Sequence, residues 1–237
     1  MAPNTTQRAG TSGPKAGNRA GGKGRKKPAP VKPPRPWGLI SLGVAVVLAA
    51  AGIITYAAVQ AHNAGQSLED RVNIAGLVNY RKTDPKMLTR THVQGAVKYT
   101  VSPPVGGNHN PVWQNCQGDV YAAQIANEHG VHSLEHGAVW ITYRPDLAKD
   151  QVDALAKKVR GNDYMLMSPY PGLDKPISLE AWGFQLKVDK ASDPRVDEFI
   201  KQLRVKASVE PTATCAQGNT TTGTTPIGTA GGMNSGG

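Results

Sequence analysis

The sequence predicts an α+β protein: a single-pass N-terminal transmembrane helix followed by one compact extracytoplasmic domain with a small sheet and two helices. Three observations carry this reading. Residues 38–59 contain no charged side chain, residues 137–203 alternate between β-branched runs and helical spacing, and the only two cysteines lie far apart, at 116 and 215.

The chain begins with a Gly-, Pro- and Lys-rich stretch, residues 1–37, that has too little apolar surface to fold and is expected to be a disordered cytoplasmic tail. Nine of the 27 Lys/Arg fall in its first 36 residues, with no acid, which leaves 18 against 17 Asp/Glu in the remainder. The net charge of +10 therefore belongs to a tail and not to a binding face, so no nucleic-acid partner is expected. The uncharged residues 38–59, at about 1.5 Å each, span roughly 33 Å, enough for a hydrocarbon core. Trp37 and Tyr56 stand near its ends, where amphipathic aromatics favour the interface. Basic residues precede the span and Glu69 and Asp70 follow it, so the positive-inside rule puts the N-terminus in the cytoplasm and the rest outside the cell membrane. A cleaved signal peptide ending near "AAVQA" is the rival reading. The long basic region and an apolar run beyond the usual 7–15 or so residues favour an anchor.

Residues 60–75 read as a polar stalk, 76–215 as the folded domain and 216–237 as a disordered Gly/Thr-rich tail. "GAVWITY" (137–143) is apolar and β-branched with little alternation, which predicts a central strand. "LAKDQVDALAKKVRG" sets Val152, Leu155, Ala156 and Val159 at helical spacing, with cations at the end and Gly161 positioned to stop it. "DYMLMS" and "ISLEAWGFQLKV" follow as strands. Asp193 before Pro194 predicts an N-cap with proline at N1, opening a helix through Val196, Phe199, Ile200 and Leu203.

If the domain is outside, Cys116 and Cys215 are in an oxidising compartment, and an even count favours a disulfide between them. Closing a loop of this size is worth about 4.7 kcal/mol at most. The competing role is a thiolate ligand, since Cys116 lies near His109 in sequence.

After His62 the histidines are His92, His109, His129, His132 and His136, all before or at the first strand of the second half. In "VHSLEHG", His132 and His136 are four apart, so one helical face carries both rings. His109 sits in "SPPVGGNHNP", where Pro-Pro stiffens the chain and fixes a donor before an ion arrives. These patterns make His109, His132 and His136 candidate metal ligands, with His92 the fourth; His129, in a polar stretch, is expected to be structural. Glu135 is expected to stand behind a ligating imidazole and hold its ring N–H, or to pair with Arg144. Neutral imidazoles suit zinc or copper(II); copper(I) would want sulfur, for which Met165 and Met167 are the candidates near in sequence.

H-x-x-E-H is also a metalloprotease pattern, but Gly137 and a strand follow at once where a longer helix belongs. No catalytic residue is assigned. Three readings therefore stand: a metal-binding domain, a zinc hydrolase using Glu135 as base, and a structural or interaction domain whose "SPYPGL" and "EAWGF" line a contact surface.

The stretches "THVQGAVKYTVSPPVGGNHNPVWQNC", "VHSLEHGAVWITYRPDL", "SPYPGLDKPISLEAWGFQLKVD" and "EPTATC" resemble an actinobacterial, membrane-anchored family, domain of unknown function 3105. The resemblance runs over roughly residues 75–215 and takes in His92, His109, His132, His136, Cys116 and Cys215, while departing at His129 and around "QGDVYAAQIA". It implies a single span with an outer domain. It implies no activity.

Overall fold

A computed structural model describes residues 30–31 and 37–228. The basic tail expected over 1–37 lies almost wholly outside these residues, as does 229–237. Two units make up the chain, residues 1–54 and 55–237. Helix α1 runs Trp37–Ala64, and its stretch Trp37–Ala61 is long and apolar enough to cross a membrane, with none of its most apolar window buried in protein.

The remaining elements follow in chain order: α2 (Leu68–Arg71), β1 (Val78–Asn79), α3 (Tyr80–Thr83), a 3₁₀ turn (Pro85–Met87), β2 (Gln117–Val120), α4 (Asn127–Glu135), β3 (Val139–Tyr143), α5 (Lys149–Val159), β4 (Met165–Pro169), β5 (Ile177–Ala181), β6 (Phe184–Val188) and α6 (Pro194–Leu203). The six strands form one mixed sheet in the order β1-β6-β5-β3-β4-β2. Strands β2, β3 and β4 run parallel, and β5 and β6 form an antiparallel hairpin beside β3. As expected, "GAVWITY" supplies an inner strand.

The two helices read from periodicity are α5 and α6, and Asp193 caps α6 by accepting from the Arg195 N–H at 2.9 Å. Their apolar stripes, Leu155, Ala156 and Val159 on one and Val196, Phe199 and Leu203 on the other, join Val139, Ile141, Met165, Met167, Leu179 and Leu186 in a single apolar cluster.

The helix count needs correcting. Six α-helices occur among the described residues, where the sequence predicts a membrane helix and two more. Helices α2 and α3 are single turns, too short to show an apolar stripe. Helix α4 is "NEHGVHSLE", with only Val131 and Leu134 large and apolar and a glycine inside, yet eight of its nine residues are buried. The supposed stalk is also shorter than residues 60–75, because Leu68, Val72 and Ile74 pack against the apolar cluster. The tail expected from 216 is held as far as the description reaches. Asn219 bridges to Gln114, and the Ile227 carbonyl accepts from Asn110 Nδ2 at 2.8 Å.

The opposite face of the sheet carries Trp140, Leu166 and a buried polar group of Thr142, Ser168, Ser178, Glu180 and Gln185. Glu180 is wholly buried and accepts from the Ser178 hydroxyl, from Thr142 Oγ1 at 3.2 Å and from Gln185 Nε2 at 3.5 Å. Burial pushes its carboxyl up to about 8, against the lowering effect of those donors. Tyr170 and Leu173 of "SPYPGL" and Trp182 of "EAWGF", read above as one candidate contact surface, are core residues.

Candidate metal centre

Helix α4 lies directly on the sheet. A Cβ added at Gly130 would stand 2.7 Å from the Trp140 ring, so glycine at this position sets the spacing of helix and sheet. Gly137, at φ +104°, ends the helix and lets the chain turn into β3 within two residues. His136 is the C-cap, so the "HSLEH" motif occupies the last turn of a nine-residue helix and not the middle of a long one.

The loop before β2 runs alongside α4, and its carbonyls receive the helix's polar side chains. His129 Nδ1 bonds the Val112 carbonyl at 2.6 Å, His132 Nδ1 that of Asn110 at 2.7 Å, and Ser133 Oγ that of Gln114 at 2.6 Å. One residue past the helix, His136 Nδ1 bonds the Thr214 carbonyl at 2.7 Å. On the loop itself His109 Nδ1 bonds the Gly107 carbonyl at 2.7 Å. A carbonyl oxygen only accepts, so each of these Nδ1 atoms carries the ring proton. In the neutral ring Nε2 is then a bare lone pair, which is how ligating histidines are usually held.

The Nε2 atoms have different fates. That of His129 accepts the Ile227 N–H at 2.9 Å, so both its nitrogens are used and the ring is structural, as the sequence suggested. That of His109 is fully buried and lies 2.9 Å from Glu135 Oε2. His92 is drawn in by a bridge between residues 92 and 109, and its Nε2 lies 3.7 Å from the same oxygen. His92 also stacks on His132, with ring centroids 4.8 Å apart. The donor atoms of His92, His109, His132 and Glu135 all fall within 4.8 Å of one another. Two donors on a tetrahedral ion at about 2.0–2.1 Å stand roughly 3.3 Å apart, so the set needs only small adjustments to close on zinc or copper.

The charges fit an ion. A lone pair and a carboxylate repel at 2.9 Å unless a proton or metal ion sits between them. Burial alone would raise the Glu135 carboxyl, yet it is held below the usual range chiefly by a hydrogen bond from the His109 ring, which places a proton on Nε2 where an ion would otherwise sit. Burial drives His132 down to about 3, the neighbouring rings adding to it against the Asn110 carbonyl, and burial likewise lowers His136 and His129. These three rings are therefore neutral near pH 7. Indoles wall the cluster: Trp113 lies 5.0 Å from His136 and 5.8 Å from His132, and Trp182 5.9 Å from His109 (ring centroids).

The cysteines fix the far side. Cys116 and Cys215 are joined in a disulfide with Cα atoms 4.8 Å apart, which removes the thiolate alternative. The bond ties the end of the His109 loop to the loop segment that supplies the Thr214 carbonyl.

The family described as Protein of unknown function (DUF3105) matches residues 92–217, just over half of the chain. The chain belongs to this family. The DUF3105 match opens on His92 and closes two residues past Cys215, so every residue of the cluster lies inside it. No curated protein and no solved structure matches the chain.

Several expectations meet different geometry. Glu135 does not sit behind a ring's Nδ1; its carboxylate stands among the Nε2 atoms, and Arg144 pairs with Asp146 at 2.8 Å instead. His136 is apart from the four-residue set and joins His132 and Glu210 in a second group. Met165 and Met167 are buried in the apolar cluster on the other face of the sheet. Glu210 went unread. It is an exposed loop residue 74 positions beyond His136, and only the nearby Cys215, once paired, hints that its loop returns to the site.

Proposed function

We propose that the folded domain binds one divalent transition-metal ion, zinc or copper(II), through His92, His109, His132 and Glu135. The observation that carries this is the convergence of three imidazoles on one buried carboxylate, with His109 Nε2 2.9 Å and His92 Nε2 3.7 Å from the same Glu135 oxygen and all four donors within 4.8 Å. A purely structural role would place a proton on the His109 nitrogen to bond Glu135, and it leaves unexplained why His92 and His132 bring donor atoms within 4.8 Å of the same pair. Four protein donors make a closed set, which favours holding an ion over the open coordination position that a zinc hydrolase keeps.

The test is metal analysis of the full-length protein purified in detergent. About one ion per chain is expected, lost on chelation and restored on adding zinc or copper(II), and absent from His132→Ala. If the wild type takes up no ion at micromolar concentration near pH 7.5, the reading fails.

The same proposal places the domain outside a membrane that α1 spans, with the N-terminus inside. The charge step across the span and the disulfide both support that side. Protein alkylated in intact cells and analysed by mass should gain its two cysteine adducts only after reduction. Free thiols without reductant would put the domain in a reducing compartment.

A further inference from the structure

A second grouping is left over once the four-donor set is described. The donor atoms of His132, His136 and Glu210 also lie within 4.8 Å of one another, and His136 Nε2 is 3.4 Å from Glu210 Oε2. His132 belongs to both groupings. Its Nδ1 is committed to the Asn110 carbonyl, so it has a single nitrogen to offer, and one lone pair serves one ion. The two groupings cannot be filled together.

Each has one exposed member, His92 at 47% and Glu210 at 53% of the side chain, but only the first reaches a wholly buried donor, His109. The rings of His132 and His136 are 4.6 Å apart, a distance an ion crosses by exchanging donors without leaving the protein. His136 of the second group also lines a formed cleft of about 240 Å³, with Tyr164, Val205, Ser208, Pro211 and Thr212. Three of these, Tyr164, Val205 and Thr212, hold positive φ of 59°, 65° and 79°, from four such non-glycine residues among the described ones. For β-branched Val205 and Thr212 that conformation is strained, and it persists only where surrounding structure enforces it. Val205 donates its N–H to the Gly137 carbonyl at 2.8 Å, and further along the loop the Glu135 carbonyl accepts from the N–H groups of Val209 and Glu210 at 3.1 and 3.3 Å. The loop that carries Glu210 is thus pinned to the residue that anchors the deeper set.

We propose that His132, His136 and Glu210 form a second, shallower seat for the same ion, through which it reaches and leaves the buried set. This rests on the metal-binding reading above and adds a direction to it: the ion is exchanged at the Glu210 side, not at the exposed His92. A waypoint has a kinetic signature. Removing it raises one barrier seen from both directions, so uptake and release slow together while affinity stays. A carboxylate that merely steers cations would change uptake and affinity together and leave release alone.

The experiment follows Co²⁺, whose visible bands report its ligation, on the full chain in detergent micelles by stopped flow, with release driven by a chelator. In Glu210→Gln, uptake and release should both slow by about tenfold, with Kd within about threefold of wild type. The wild type should hold about one Co²⁺ per chain. Unchanged rates would mean exchange past His92, slower uptake alone would mean steering, and two ions per chain would mean independent sites; each overturns the proposal. A wild type that binds no Co²⁺ would instead reject the metal-binding reading on which it rests.

Discussion

On one face of the sheet, Val139, Ile141, Met165, Met167 and Leu179 meet two helices whose apolar residues recur every three or four positions. On the other, Thr142, Ser168, Ser178, Glu180 and Gln185 are buried beneath loops and a polar helix. The first face is held by non-directional apolar burial, which tolerates any side chain of suitable volume. The second has an apolar cluster of its own around Trp140 and Leu166, and beside it donors matched to acceptors, which tolerate little. Where buried polar groups need partners, chemistry-bearing side chains can be fixed in place before a ligand arrives. Both faces bury apolar side chains, and the second also carries the site.

The largest effect expected on this contrast comes from the apolar face. Phe199→Ala, at a fully buried position, should cost about 3–5 kcal/mol in chemical denaturation. Ion stoichiometry in the fraction that stays folded should not change. Loss of the ion from folded Phe199→Ala protein would show that the faces are coupled.

A smaller effect, opposite in kind, is expected from Glu180. Below pH 4.5 its carboxyl is protonated in folded and unfolded chains alike and contributes nothing to the pH dependence. Between 4.5 and about 8 the unfolded carboxyl ionises while the buried one keeps its proton, so stability falls as pH rises. The slope is about 1.4 kcal/mol per pH unit at its steepest, and it ends above the folded value. His132 acts in the other direction. Below 6.5 the unfolded ring gains a proton that the folded ring refuses until about 3, so stability falls as pH falls. Metal-free protein should therefore show opposed slopes between 4.5 and 6.5 and a net decline from 6.5 to 8. Urea midpoints measured with a chelator present should lose that alkaline decline in Glu180→Gln. Parallel curves for the two proteins would mean that Glu180 is not buried as described.

The same contrast explains what the sequence reveals. Leu155, Val159, Val196, Phe199 and Leu203 repeat with the helix, and Asp193-Pro194 marks a helix start by its own chemistry, so α5, α6 and the strands between them are legible. The disulfide is legible because two cysteines leave one pairing. Helix α4 offers only Val131 and Leu134 as an apolar pair; the rest of its buried surface is largely side chains bonded to carbonyls of a loop some twenty residues earlier, and no local pattern encodes that. His109, His132 and His136 stand out because histidine is scarce and two of them share a helical spacing. Their division into two groups does not, since it depends on where the exposed Glu210 returns in space. Strands β1 and β2 are missed for a similar reason: one has two residues, and the other contains Gly118 and a register shift.

Gly130 has a consequence for heritable variation. An interior glycine weakens a helix by roughly 1 kcal/mol relative to alanine, so drift would ordinarily replace it. Here the Trp140 ring occupies the space that any other side chain would need. A lineage can change Gly130 only after, or together with, a smaller residue at 140. The path from this sequence to one with a differently spaced histidine cluster therefore runs through paired substitutions, and single-step descent will keep the cluster's geometry even where the loops around it diverge.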